Sequence, residues 1–101
     1  MLSRTQFKTV EALTYPTVKL DDERAQTLSS KKTEASRYHD VMDQMYKEAQ
    51  DEGLHRSIEE HGVHTPLIVN KKTMTLEDGH HRLAVAQRHL PPDTKLPVVF
   101  K

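Results

Sequence analysis

The chain has 101 residues, 35% of them apolar and 30% charged, which bounds it to one small domain with a thin core. Fifteen basic residues offset fifteen acidic ones, so nothing favours a protein that holds DNA by its whole surface, although a local basic pocket remains open. The absence of cysteine excludes disulfides, thiolate metal sites and cysteine catalysis.

No apolar run approaches the roughly 20 residues of a membrane span. The first residues, Met1 to Lys8, lack the apolar segment of a signal peptide, so the cytoplasm is the expected address. One domain is expected over 1–101, with 1–15 as an arm or a short helix. Phe7, Val10 and Leu13 carry helical spacing there, but over too short a stretch to decide. Tyr15-Pro16-Thr17-Val18-Lys19-Leu20 alternates and is β-rich, which predicts a strand near a sheet edge. Asp21 to Arg24 reads as a turn, and 25–33 as a polar, mobile loop.

Ala35, Tyr38, Val41, Met42, Met45, Tyr46 and Ala49 recur at steps of three and four, the pattern of one apolar helix face. Thr33 or Ser36 is positioned to cap it. Gly53 ends or bends this helix, and a shorter one follows over Leu54 to His61, stopped by Gly62. Then the pattern turns to β. Pro66-Leu67-Ile68-Val69 predicts a buried strand, Asn70-Lys71-Lys72 a turn, and Thr73 to Leu76 the returning strand of a hairpin. A last helix is expected from about His81 to Leu90, where Pro91-Pro92 forbids its continuation. Lys95 to Phe100 closes the chain as a strand. The order of elements predicts a small α+β domain.

Chemistry concentrates between the hairpin and the last helix, in Glu77-Asp78-Gly79-His80-His81-Arg82. A strand, a glycine turn and a helix start put outward-facing N–H groups beside basic side chains, which suits a phosphate or carboxylate. Gly79 permits close approach of the backbone. Arg82 offers a planar fork to phosphate oxygens, and His80 and His81 add donors. The plainer alternative is that Arg82 pairs with Asp78 or Glu77 merely to lock the turn.

The run Ser57-Ile58-Glu59-Glu60-His61-Gly62-Val63-His64-Thr65-Pro66-Leu67-Ile68-Val69, followed by Asp78-Gly79-His80-His81-Arg82-Leu83-Ala84, resembles the ParB N-terminal/sulfiredoxin-like superfamily over about residues 54–100. That resemblance implies a small mixed β-sheet flanked by helices, with a nucleotide lying over the Gly79–Arg82 box. In ParB-like members the box contacts a nucleoside triphosphate, so a nucleoside triphosphate with Mg²⁺ is the implied cofactor. Gly79, His81 and Arg82 match the sulfiredoxin box, but His80 stands at its cysteine, which excludes sulfinic-acid reduction. Asp78, Gly79, His80 and Arg82 match the box of free-serine kinases in the superfamily. Against ParB itself, His80 and His81 replace an acidic residue and an arginine, and the sequence ends before a helix-turn-helix. Partition-type DNA clamping is therefore not expected.

Asp78 is the candidate catalytic residue, as a general base or a Mg²⁺ ligand. Glu59 or Glu60 is a candidate second carboxylate, against the plainer reading of a solvated helix face. On this basis metal-assisted nuclease and small-molecule kinase activities stand as alternatives. A further alternative is a non-catalytic phage or plasmid accessory protein that binds a host protein through the 35–49 helix and the 25–33 loop. Histidine spacing offers no i, i+4 pair, so no zinc site is expected.

Overall fold

The computed structural model describes residues 4–20 and 33–101. Among these the chain runs β1 (Gln6–Thr9), a 3-10 turn (Glu11–Leu13), β2 (Lys19–Leu20), α1 (Glu34–Asp51), α2 (Leu54–His61), β3 (Leu67–Asn70), β4 (Thr75–Asp78), α3 (His80–His89) and β5 (Lys95–Phe100). The strands form a five-stranded sheet in the order β1-β5-β3-β4-β2. It is mixed: β1 is antiparallel to β5 and β3 to β4, whereas β3 is parallel to β5 and β2 to β4. The domain is thus α+β, as the order of elements predicts.

α3 is the centre of the packing. Leu83, Ala84, Val85 and Ala86 are all buried, and so is His80 at its start. Four consecutive buried residues leave no solvent stripe on the middle of a helix, which must then be enclosed by its neighbours. α1 and α2 pack on it from one side and β3 lies against it from the other. Leu67, Val69, Leu76, Leu96 and Val98 of the sheet join Tyr38, Val41, Met42 and Met45 of α1 and Leu83, Ala84 and Ala86 of α3 in one core. A satellite cluster of Ala49, Ile58 and Val85 holds α2 in place. The Met and Tyr stripe of α1 is therefore core, and any partner of this helix would meet its polar outer face.

Local chemistry sets the element ends. Thr33 caps α1 by accepting from the Ser36 N–H at 3.1 Å. Gly53, at φ +77°, breaks the path between α1 and α2. Three expectations change. The 1–15 segment is neither arm nor helix in its middle: Gln6–Thr9 is an edge strand whose partner β5 lies at the other end of the sequence. The strand expected over 15–20 shrinks to Lys19–Leu20, because Thr17 N–H and Val18 N–H both donate to Thr14 O and close a turn. The hairpin strand begins two residues late, at Thr75. The Asn70 side chain accepts from Lys72 N–H at 3.0 Å and Thr73 N–H at 3.3 Å, and the Met74 N–H donates to Asn70 O. Those bonds widen the turn to include Thr73 and Met74, and carry Glu77 and Asp78 into the strand. The turn at 21–24 and residues 25–32 of the expected loop lie outside the described residues.

Tyr38 joins α1 to α3 at the edge of the core. Gln87 donates to its hydroxyl at 3.0 Å. Burial pushes the Tyr38 pKa above its ordinary 10.0, against the pull of Gln87 and of the Tyr15 backbone. The folded protein therefore keeps a proton that the unfolded chain releases, so stability from this group is complete below pH 10.0 and is lost as the pH rises above it. Denaturant titrations at about pH 9 and about pH 11 should show a steeper loss in the parent than in Tyr38→Phe. Equal losses would contradict the assignment. Leu76→Ala, which opens a cavity between sheet and helices, should cost about 2–5 kcal/mol in the same titrations at neutral pH.

Candidate functional site

Gly79 joins β4 to α3 at φ +96°. A Cβ built there would stand 2.3 Å from Leu67 Cδ2, 3.2 Å from Arg82 Nη2 and 3.4 Å from Leu67 Cα. Leu67 is fully buried and has little freedom to yield. Glycine is thus required twice, by the left-handed backbone and by the close approach to β3. The helix begins one residue earlier than the sequence suggests, at His80, and Gly79 supplies no side-chain cap. Leu83 N–H, donating to Gly79 O, closes the first helical turn.

This uncapped start opens on a cleft of about 460 Å³ lined by Glu52, Leu54, Thr65, Glu77, Asp78, Gly79, His80, His81 and Arg82. All five predicted site residues meet there. Asp78 is 72% exposed at the end of β4. His80 is 7% exposed and belongs as much to the interior as to the cleft. His81 reaches across to α1, where its Nε2 lies 2.7 Å from Glu48 Oε2. Arg82 Nη2 donates to Pro66 O at 3.2 Å and stands 3.8 Å from Asp78 Oδ2. The turn-locking role foreseen for Arg82 is therefore present. It does not exhaust the side chain: Arg82 Nε is buried without a hydrogen-bond partner among the described residues. A buried donor left unsatisfied costs free energy.

Electrostatics divide the cleft. Glu52, Glu77 and Asp78 are acidic, and Arg82 is the side chain in the lining with a fixed positive charge. The helix start adds roughly half a positive charge. Asn70 Nδ2 donates to Glu77 Oε1 at 3.2 Å and holds that carboxylate toward the hairpin turn. Among the described residues, no group of three or more histidine or carboxylate side chains is arranged to hold a metal ion.

Two candidate carboxylates fall elsewhere. Glu59 pairs with His89 Nδ1, and Glu60 lies 3.6 Å from His61 Nε2; neither lines the cleft. Glu52 and Glu77 line it instead, with Glu48 behind His81. Glu48 and Glu52 sit four residues apart at the end of α1, a spacing that places them on one side of the helix. That spacing is the only sequence signal that points to them.

Compared with protein-family models, curated proteins and solved structures, the chain shows no match. No described helix is long and apolar enough to cross a membrane.

Gly79→Ala should destabilise the fold by at least about 1–3 kcal/mol from backbone strain alone. The clash adds to this, and trimming Leu67 should recover part of it. In a double-mutant cycle with Leu67→Val, Gly79→Ala should cost measurably less than in the parent. Strict additivity of the two substitutions would show that the close approach to Leu67 carries no energy.

Proposed function

We propose that the cleft at the start of α3 binds a phosphate group, that of a nucleotide. The observation that carries this reading is the uncapped helix start beside Arg82, whose buried Nε has no partner among the described residues. The volume, about 460 Å³, lies within the range of small-molecule sites. The resemblance of the Gly79–Arg82 turn to a ParB/sulfiredoxin-like phosphate box supports the same assignment. The backbone at His81 and Arg82 and the Arg82 guanidinium are the groups that would hold phosphate oxygens.

The acidic lining specifies the form of the ligand. Three carboxylates repel a bare polyanion at neutral pH. Mg²⁺ bound to the phosphates offsets that repulsion and takes one or two carboxylates as ligands. Asp78, exposed at the end of β4 beside the turn, fits this role. No group in the described residues holds the metal alone, so it would enter with the nucleotide. Asp78 is also the group that would serve a phosphoryl-transfer or phosphodiester-cleaving reaction, as a base for an incoming hydroxyl or water.

Calorimetry with CTP, ATP and inorganic phosphate, each with and without Mg²⁺, tests the reading. The expected outcome is nucleotide binding that requires Mg²⁺ and weakens about tenfold or more in Arg82→Ala. Thermal unfolding of the variant, run in parallel, separates loss of the ligand contact from loss of the Pro66 tie. Glu77→Gln should strengthen binding of metal-free nucleotide. If no nucleotide binds the parent chain at millimolar concentration, the reading is wrong.

A further inference from the structure

A second cavity lies at the opposite end of α3. It is larger, about 680 Å³, and is walled by the Val10–Tyr15 segment, α1, the end of α3 and the loop after it. Along α3 the two linings stand five residues apart, from Arg82 to Gln87, a rise of about 7.5 Å. Its walls are fixed by the backbone: Val10 N–H donates to Thr94 O at 2.9 Å and Glu11 N–H to Pro92 O at 3.0 Å. The apolar part of the lining comes from Val10, Tyr15, Leu90 and Pro92.

The polar part is more informative, because its hydrogen bonds determine what remains to offer. Thr14 gives its hydroxyl hydrogen to Val10 O at 2.7 Å, so toward Gln87 its oxygen is an acceptor. The Gln87 amide nitrogen must then be the atom facing Thr14, at 3.2 Å, and it donates also to Tyr38 Oη at 3.0 Å. Both amide hydrogens are spent. What Gln87 has left for the cavity is its carbonyl oxygen, an acceptor. Arg88 also borders the cavity, but its guanidinium is paired with Asp43 and lies 4.7 Å from the centre of the Tyr46 ring. Its charge is already offset. Glu11 adds a carboxylate on the rim. His39 completes the lining, with its ring edge-on to Tyr38. The cavity therefore combines an apolar wall with two acceptors, the Gln87 carbonyl and the negatively charged Glu11 carboxylate.

We propose that this cavity is a binding site for a small organic cation, an amine or amidinium on a flat or aliphatic body. The body lies against Tyr15, Leu90 and Pro92, and the N–H groups meet the Gln87 carbonyl and the Glu11 carboxylate. The site is independent of the phosphate cleft, and neither assignment needs the other.

Benzamidine, benzoate and benzyl alcohol share a ring and differ in charge, so they are suitable probes. Amide chemical-shift mapping on the full chain should show benzamidine saturating shifts at Thr14, Gln87 and Leu90, with benzyl alcohol weaker and benzoate inactive. Excess inorganic phosphate should leave those shifts in place. Glu11→Gln, at an exposed position, should preserve the native spectrum and weaken benzamidine about fivefold. Three results would each overturn the proposal: benzoate binding as tightly as benzamidine, no benzamidine shifts at these residues up to about 10 mM, or an unchanged benzamidine affinity in Glu11→Gln.

Discussion

The close approach of Gly79 to Leu67 fixes everything downstream of the hairpin. Leu67 opens β3 and is fully buried, so it is a rigid wall. With no side chain on Gly79, the backbone leaving β4 settles on that wall and turns directly into α3. The turn thereby orients three things at once: the end of β4 with Asp78, the N–H groups of the helix start, and Arg82 one turn further on. Arg82 secures the arrangement from the other side by donating to Pro66 O, the residue before Leu67. Two consecutive residues of one strand entrance thus set the geometry of the cleft.

α3 is also tied sideways by its polar residues, to α1 and to α2. His81 meets Glu48 on α1, and Arg88 meets Asp43 on the same helix. His89 meets Glu59 on α2 through Nδ1 and lies 2.5 Å from the Tyr46 hydroxyl on α1 through Nε2. Gln50 donates to that hydroxyl at 3.2 Å, which leaves Tyr46 to donate to His89 and His89 to donate to Glu59. Pairs this close to solvent contribute little each. Together they set the relative orientation of three helices that a core drawn from 35% apolar residues leaves loosely defined. Two of the seven histidines, His81 and His89, serve this alignment.

The legible parts of the fold were those with a local signal. Three- and four-residue spacing marked α1 and α2, and continuous apolar runs marked β3 and β5. The signal failed where the decisive partner was distant or was a side chain. Gln6 to Thr9 carries no strand alternation of its own core and becomes a strand through β5, at the far end of the sequence. The start of β4 moved because Asn70 Oδ1 captured two N–H groups of the turn. The site divides the same way. Its turn was legible from glycine, histidine and arginine in series. Glu48, 33 positions before His81, was not. Nor was the reason for Gly79, which lies in a leucine on another strand and not in the turn itself.

Arg82 carries the tension within the site. The N–H that holds Pro66 O is not available to a ligand without loosening the strand entrance. Its Nε, by contrast, is buried with no hydrogen-bond partner among the described residues. A guanidinium can hold one partner and keep further donors, because its five N–H groups are fixed in one rigid plane. The carboxylates around Arg82 set the remaining condition. By opposing a bare anion and accepting a cation, Glu52, Glu77 and Asp78 would make the cleft respond to the charge of the whole ligand complex. On the proposed reading, the acidic lining that would weaken a free phosphate is the feature that would distinguish a metal-bound one.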